Sequence, residues 1–176
     1  MAEKAYIKMM GRLNKTVHIF AAGVIIKKDE KFLLVQEGSG LVPEIYGKWN
    51  FPMGRMEKGE RPYKCALREG REETGLLIKI ESKVSADGKK RPYRNQDGYN
   101  AKIGAVDVFV YLFEGSILRG EIKVPKDLLD VRWFSFKEIL DLKRDGKLID
   151  RYIISAIADY NDLVNKRKIN EPRKES

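Results

Sequence analysis

Between Trp49 and Leu76 the chain gathers Gly54, Gly59, Glu60, Arg68, Glu69, Arg71, Glu72 and Glu73. On a helix turning about 100° per residue, Glu69, Glu72 and Glu73 fall within an arc of roughly 100°, so three carboxylates face one way. Like charges this close repel unless a cation sits among them or water screens them. Two readings follow. One is a divalent cation held by hard oxygens; the other is a solvated acidic helix face compensated by Arg68 and Arg71. Oxygen donors favour Mg²⁺ or Mn²⁺, and one cysteine, Cys65, with one histidine, His18, excludes a zinc site built from His and Cys. Before the acids, Gly54 and Gly59 permit tight turns and close backbone approach, and Pro52 stiffens the entry.

These residues need a scaffold. Residues 17 to 26 and 32 to 36 read as two neighbouring strands, with Lys27–Lys31 as a charged turn. A loop from Gly38 to Lys48 follows. Pro62 to Glu73 are good helix formers apart from Gly70; Pro62 suits the first turn and Gly75 the C-terminal cap. Leu76–Ile80 predicts a short strand, 85 to 100 a polar turn-rich stretch, Ile103–Phe113 a strand with alternating faces, and Val131–Phe134 another. Ser135 with Glu138 has capping-box spacing. Ile149, Ile153, Ile157, Tyr160 and Val164 lay one apolar stripe along a last helix. The expectation is an α/β (α+β) single domain, a mixed β-sheet with helices packed on it, over residues 17 to 164. Residues 1 to 16 form an N-terminal extension, and 165 to 176 a basic tail expected to fray.

The whole chain, 176 residues with a formal charge of +9 and 43% hydrophobic positions, is long enough for one self-sufficient core. Its longest apolar run, Ile19–Ile26, falls far short of the ~20 residues that span a bilayer. Arg12 and Lys15 before that run imitate a secretory leader, but charged residues and a second apolar run follow at once with no small-residue cleavage site. A cytoplasmic protein without membrane attachment is expected, monomeric or homodimeric.

Gly54, Glu60, then Arg68-Glu69-x-x-Glu72-Glu73-x-Gly75-Leu76 resembles, without a gap, the signature of the Nudix hydrolases. The resemblance extends over roughly 17 to 140, and the Pro52-Met53-Gly54-Arg55 wording is similar to a Pro-x-Gly-Arg subset of that family. It implies the Nudix-like mixed sheet sandwiched between helices. It also implies Glu72 and Glu73 as principal metal ligands, Glu69 as a further ligand or the base that activates water, and a carbonyl of Met53 or Gly54 in the shell. Glu60 and Arg68 would pair to hold loop against helix. A later acid often joins the site; Asp127 is the first candidate and Asp130 the second, each weighed against a plain solvated loop acid. Gly70 departs from the family, which normally has an aliphatic residue there; this predicts a loss of helix propensity of about 1 kcal/mol and of packing.

Arg55, Arg94 and Tyr93 are the expected substrate contacts. The basic stretch Lys89–Arg94 is either a solvated loop or a lobe that gathers a polyanion. In family terms Pro92 hints at ADP-ribose and Tyr93 at dinucleoside polyphosphates, so the pair decides nothing. Trp49 and Trp133 are read as core or rim before base stacking, Cys65 as packing, and Gly47-Lys48 lacks the spacing of a P-loop. The resemblance implies a Mg²⁺- or Mn²⁺-dependent hydrolase of a phosphoanhydride in a nucleoside di- or triphosphate or a nucleoside diphosphate derivative, oxidised nucleotides included. ADP-ribose, dinucleoside polyphosphates and RNA 5′ ends are the alternative substrates. A non-catalytic nucleotide- or RNA-binding module, using the +9 charge, is the alternative of another class.

Overall fold

The two apolar runs at 17 to 26 and 32 to 36 form a hairpin in a computed structural model that describes residues 17–38, 45–84, 93–95, 99–100 and 104–170. The described elements are, in order, β1 (Val17–Lys28), β2 (Lys31–Glu37), β3 (Trp49–Asn50), β4 (Met53–Arg55), α1 (Pro62–Thr74), β5 (Leu77–Val84), β6 (Tyr93–Asn95), β7 (Tyr99–Asn100), β8 (Gly104–Arg119), β9 (Leu128–Ser135), α2 (Phe136–Arg144) and α3 (Asp150–Asn170). At the hairpin turn Asp29 and Glu30 both take positive φ, 49° and 60°, a backbone whose twist matches the strands it joins. Residues on both faces of β1 and β2 are buried, which explains why their sequences read as near-continuous apolar runs. Ile25, Phe32 and Leu34 enter one core cluster; Val24, Ile26, Leu33 and Val35 enter another.

The sheet runs β3-β2-β1-β8-β5, with β4 on β1, β6 and β7 on β8, and β9 on β2. Among these pairings only β1 with β8 is parallel. Helix α1 presses Cys65 and Ala66 against Ala22 and Phe113. On the opposite face α3 inserts Tyr152, Ile153, Ala156, Ile157 and Tyr160 beside Ile25, Phe32 and Leu34. This is the expected mixed sheet sandwiched between helices. The helix ends also follow the sequence. Pro62 opens α1, and Gly75, at φ 74°, closes it with its N–H on the Arg71 carbonyl. Ser135 and Glu138 form a complete capping box at α2. No described helix is long and apolar enough to cross a membrane.

Several features differ from the sequence reading, among them β5, which runs on to Val84, and β9, which starts at Leu128. Strand β8 continues to Arg119, six residues beyond Phe113. The span Trp49–Arg55 holds two short strands, β3 and β4, too brief for any period-two pattern to register. Helix α3 runs through Asn170, past the expected end at 164, because Arg167 leaves the tail to pair with Glu114 and to donate to Ser82 Oγ at 2.6 Å.

Gly70 is a correction of another kind. No packing is lost at this buried residue: a Cβ there would stand 2.6 Å from Ile78 Cδ1 and 3.0 Å from Val24 Cγ1, so the helix has closed onto the sheet until these side chains fill the space. Gly70→Leu should therefore destabilise the fold by about 3 kcal/mol through overpacking, despite its better helix propensity. A thermal or urea melt reads this directly; a more stable leucine variant would show that the helix stands off the sheet.

Candidate active site

Residues 53 to 55 hydrogen-bond to β1, with Met53, Gly54 and Arg55 opposite Gly23, Ala22 and Ala21. This lays the glycine turn alongside α1, whose Glu69 and Glu73 point back at it. The approach is close: a Cβ on Gly54 would fall 2.2 Å from Glu69 Cδ. Met53 N–H donates to Glu73 Oε2 at 2.8 Å. Both contacts require the spacing of the sequence, since only a residue without a side chain at 54 admits the Glu69 carboxylate.

Arg68 organises the other acids. Its Nε and Nη2 donate to the two oxygens of Glu60 at 3.0 and 2.9 Å, a two-pronged clamp from helix to loop. Its Nη1 reaches Glu69 Oε1 at 2.5 Å and Glu72 Oε2 at 3.3 Å, and Nη2 donates to the Arg55 carbonyl at 3.1 Å. The hydrogen bond from Arg68 is the largest influence holding the Glu60 carboxyl down, to about 2. Cys65 lies buried beneath, its thiol pushed up to about 12 by burial, so it stays a thiol and packs rather than reacts.

Among the described residues no cation is recorded against Glu73. Desolvation first, then the charges of Glu37, Glu69 and Asp127, push its carboxyl well above the ordinary range against the Met53 hydrogen bond. Glu69 is raised mainly by burial, with Glu72 and Glu60 adding to it. The donor set of hard carboxylate oxygens fits Mg²⁺ or Mn²⁺ in chemistry and charge: the arrangement concentrates negative charge where a cation would relieve it. Among the described residues no three acidic side chains converge on one point as they stand, because Glu69 and Glu72 are turned onto Arg68.

The remaining sequence candidates divide. Asp127 is exposed on the loop before β9 and contributes its charge to Glu37 and Glu73. Asp130 instead pairs with Arg132 at 2.5 Å and accepts from Val131 N–H. Arg55 is exposed on β4 beside the site. Tyr93, expected against substrate, is drawn into the core: it is 5% exposed, and its hydroxyl donates to Asp159 Oδ2 at 2.6 Å. The cause is its strand, which pairs Tyr93 with Val110 and turns the ring toward α3. Arg94 lies on β6, its side chain outside what the structure describes, as are residues 89 to 92. Trp49 is core, edge-on to Phe134 at 4.6 Å between centroids.

The sequence reading missed Glu37, Asn50 and Tyr152. Glu37 ends the apolar strand β2 and is raised to about 7, mainly by desolvation; Asn50 Nδ2, at 3.4 Å from its Oε1, opposes the shift, while Asp127 and Glu69 add to it. An acid closing a buried strand was the available signal.

A pH dependence follows. Carboxyls of the unfolded chain titrate near ~4.3. Glu37 and Glu73 titrate higher when folded, so between that value and about 7 the native state binds more protons, and their contribution to stability falls as pH rises. Glu60, depressed, works in another window: its contribution is complete above the unfolded value and is lost as pH falls toward about 2. In EDTA the melting midpoint should drop from pH 5 to pH 8, and Glu37→Gln should flatten that slope; an unchanged slope in the variant would remove Glu37 as its source.

The NUDIX domain family model matches residues 17–157. The mouse bis(5′-nucleosyl)-tetraphosphatase [asymmetrical] is 30% identical over 70% of this chain and 79% of its own length. The mouse 8-oxo-dGDP phosphatase NUDT18 is 34% identical over 43% of this chain and 23% of its own. The chain spans about a third or less of several curated relatives it matches. A NUDIX hydrolase structure from Nitrosomonas europaea shares the fold at a TM-score of 0.63 and 24% identity, covering 84% of this chain and 90% of that one.

Proposed function

The chain belongs to the NUDIX domain family, and from that premise we propose that it is a Mg²⁺- or Mn²⁺-dependent hydrolase of a phosphoanhydride bond in a nucleotide or nucleoside diphosphate derivative. The observation that carries this reading is Glu73, a half-buried carboxylate seated by the Met53 N–H at 2.8 Å beside a backbone turn and within reach of the charges of Glu37, Glu69 and Asp127, an arrangement that a plain surface helix does not need. Glu72 and Glu73 would hold the cation, with the Gly54 carbonyl beside them and Asp127 as the later acid. A bound divalent ion would supply charge neutralisation at the phosphates and a more acidic water.

The chain's own residues do the rest. Glu69, raised by burial, is suited to take a proton from water, because a base works best when its affinity for protons is brought nearer the operating pH. The Glu60–Arg68 clamp fixes the turn against α1, so that Gly54 and Glu69 keep their close approach. Arg55 stands exposed where it can meet a phosphate. Nucleotide-type substrates are supported by relatives that bear the names 8-oxo-dGDP phosphatase, ADP-ribose pyrophosphatase and bis(5′-nucleosyl)-tetraphosphatase.

The test is a phosphate- and nucleotide-release panel. It covers nucleoside di- and triphosphates with their oxidised forms, ADP-ribose, dinucleoside polyphosphates and 5′-triphosphate RNA, with Mg²⁺ and with Mn²⁺. At least one class should be cut in a metal-dependent, EDTA-sensitive way. No turnover anywhere, with salt-sensitive RNA retention instead, would replace the enzyme by a binding module.

A further inference from the structure

We infer that Tyr152 is a positioning residue for the carboxylate site, acting from the C-terminal helix through Asn50 and Met53 on Glu73; this rests on the metal-hydrolase reading and adds to it a control point remote in sequence. The Tyr152 ring is 2% exposed and lies in the core cluster between α3 and the sheet. Its hydroxyl emerges from that apolar setting at the corner between β3 and β4. There it meets two acceptors, Asn50 Oδ1 at 2.5 Å and Met53 Sδ at 2.8 Å. One hydroxyl proton serves both, so the group ties a strand end and a turn side chain to one point.

Asn50 is itself 5% exposed. Its Oδ1 also accepts from Phe51 N–H at 2.9 Å, which fixes the orientation of the amide and aims Nδ2 at Glu37. Two residues on, the Pro52 carbonyl accepts from Val24 N–H at 2.9 Å. Met53 then donates its N–H to Glu73 Oε2. The corner is thus held by β1 from one side and by Tyr152 from the other, and the position of Glu73 depends on it. A phenylalanine at 152 would fill the same space, so a packing residue would tolerate the exchange. A buried hydroxyl that bridges two acceptors beside a ligand carboxylate does something else: it sets where Met53, and with it the carboxylate, can stand.

Remote partners of metal ligands change affinity by about 10- to 100-fold when removed. Tyr152→Phe is therefore expected to weaken Mn²⁺ binding about tenfold, read by electron paramagnetic resonance of free Mn²⁺ without substrate. The apparent metal constant in turnover should rise in parallel, while kcat at saturating Mn²⁺ stays within about threefold. Ile153→Val, a neighbouring core change on the same helix, should lower the melting midpoint without moving Mn²⁺ affinity. Unchanged Mn²⁺ affinity in Tyr152→Phe, or an equal loss in both variants, would overturn the inference and leave the hydrolase reading standing. Glu73→Gln separates the two, since Mn²⁺ affinity unchanged by that substitution would bring down the metal-site reading and this inference with it.

Discussion

Glu73→Gln should abolish metal-dependent turnover by about 10³-fold or more, ~4 kcal/mol of activation free energy, while the protein melts no lower than wild type at pH 7. The two halves of that result come from one environment. A glutamine keeps an oxygen to accept the Met53 N–H and so preserves the hydrogen bond that seats the side chain. What it removes is a charge that desolvation and the neighbouring Glu37, Glu69 and Asp127 all disfavour. In the metal-free protein that removal relieves repulsion; on the proposed reading it also deletes a ligand. A side chain retained only for packing would behave in the opposite way, with stability lost and activity kept. Steady-state kinetics with Mg²⁺ and a thermal melt of the same preparation decide it, and turnover within tenfold of wild type would take Glu73 out of the machinery.

What the sequence made legible was local. The helix over Pro62–Thr74 could be read from its proline start, its glycine stop and its residue types, and the one-sided placement of Glu69, Glu72 and Glu73 followed from helical geometry alone. The Glu60–Arg68 clamp followed from the family signature. Contacts that join distant segments could not be read this way. Tyr152 sits among apolar helix residues and looks like one more core aromatic; that its hydroxyl meets Asn50, 102 positions earlier, depends on how the sheet is ordered. The parallel pairing of β1 with β8 is likewise a choice among partners that no strand's own pattern encodes. Tyr93 differs from the expected substrate contact for the same reason: where its ring goes depends on its strand, which pairs it with Val110. Gly70 shows the converse. It is unfavourable by propensity, and its fitness appears only when Ile78 and Val24 are seen against it.

Gly54→Ala tests whether the close approach of turn and helix is functional. An added Cβ would lie 2.2 Å from Glu69 Cδ and 2.3 and 2.4 Å from its two oxygens. Those atoms are the free end of a flexible side chain, so the backbone can stay where it is and the carboxylate must leave. Gly54 is not among the residues with positive φ, so alanine can adopt its backbone conformation and even reduces the freedom of the unfolded chain. Stability should change little, yet displacing a reacting group by about 1 Å costs on the order of 10²-fold in rate. Gly59→Ala is the complementary case. At φ 80° with nothing within 4 Å of the new Cβ, it strains the backbone without touching the carboxylates, so it should cost about 1 kcal/mol of stability and leave turnover nearly intact. If Gly54→Ala instead retains turnover within threefold, Glu69 has a second productive position, and the bare backbone at 54 serves packing alone.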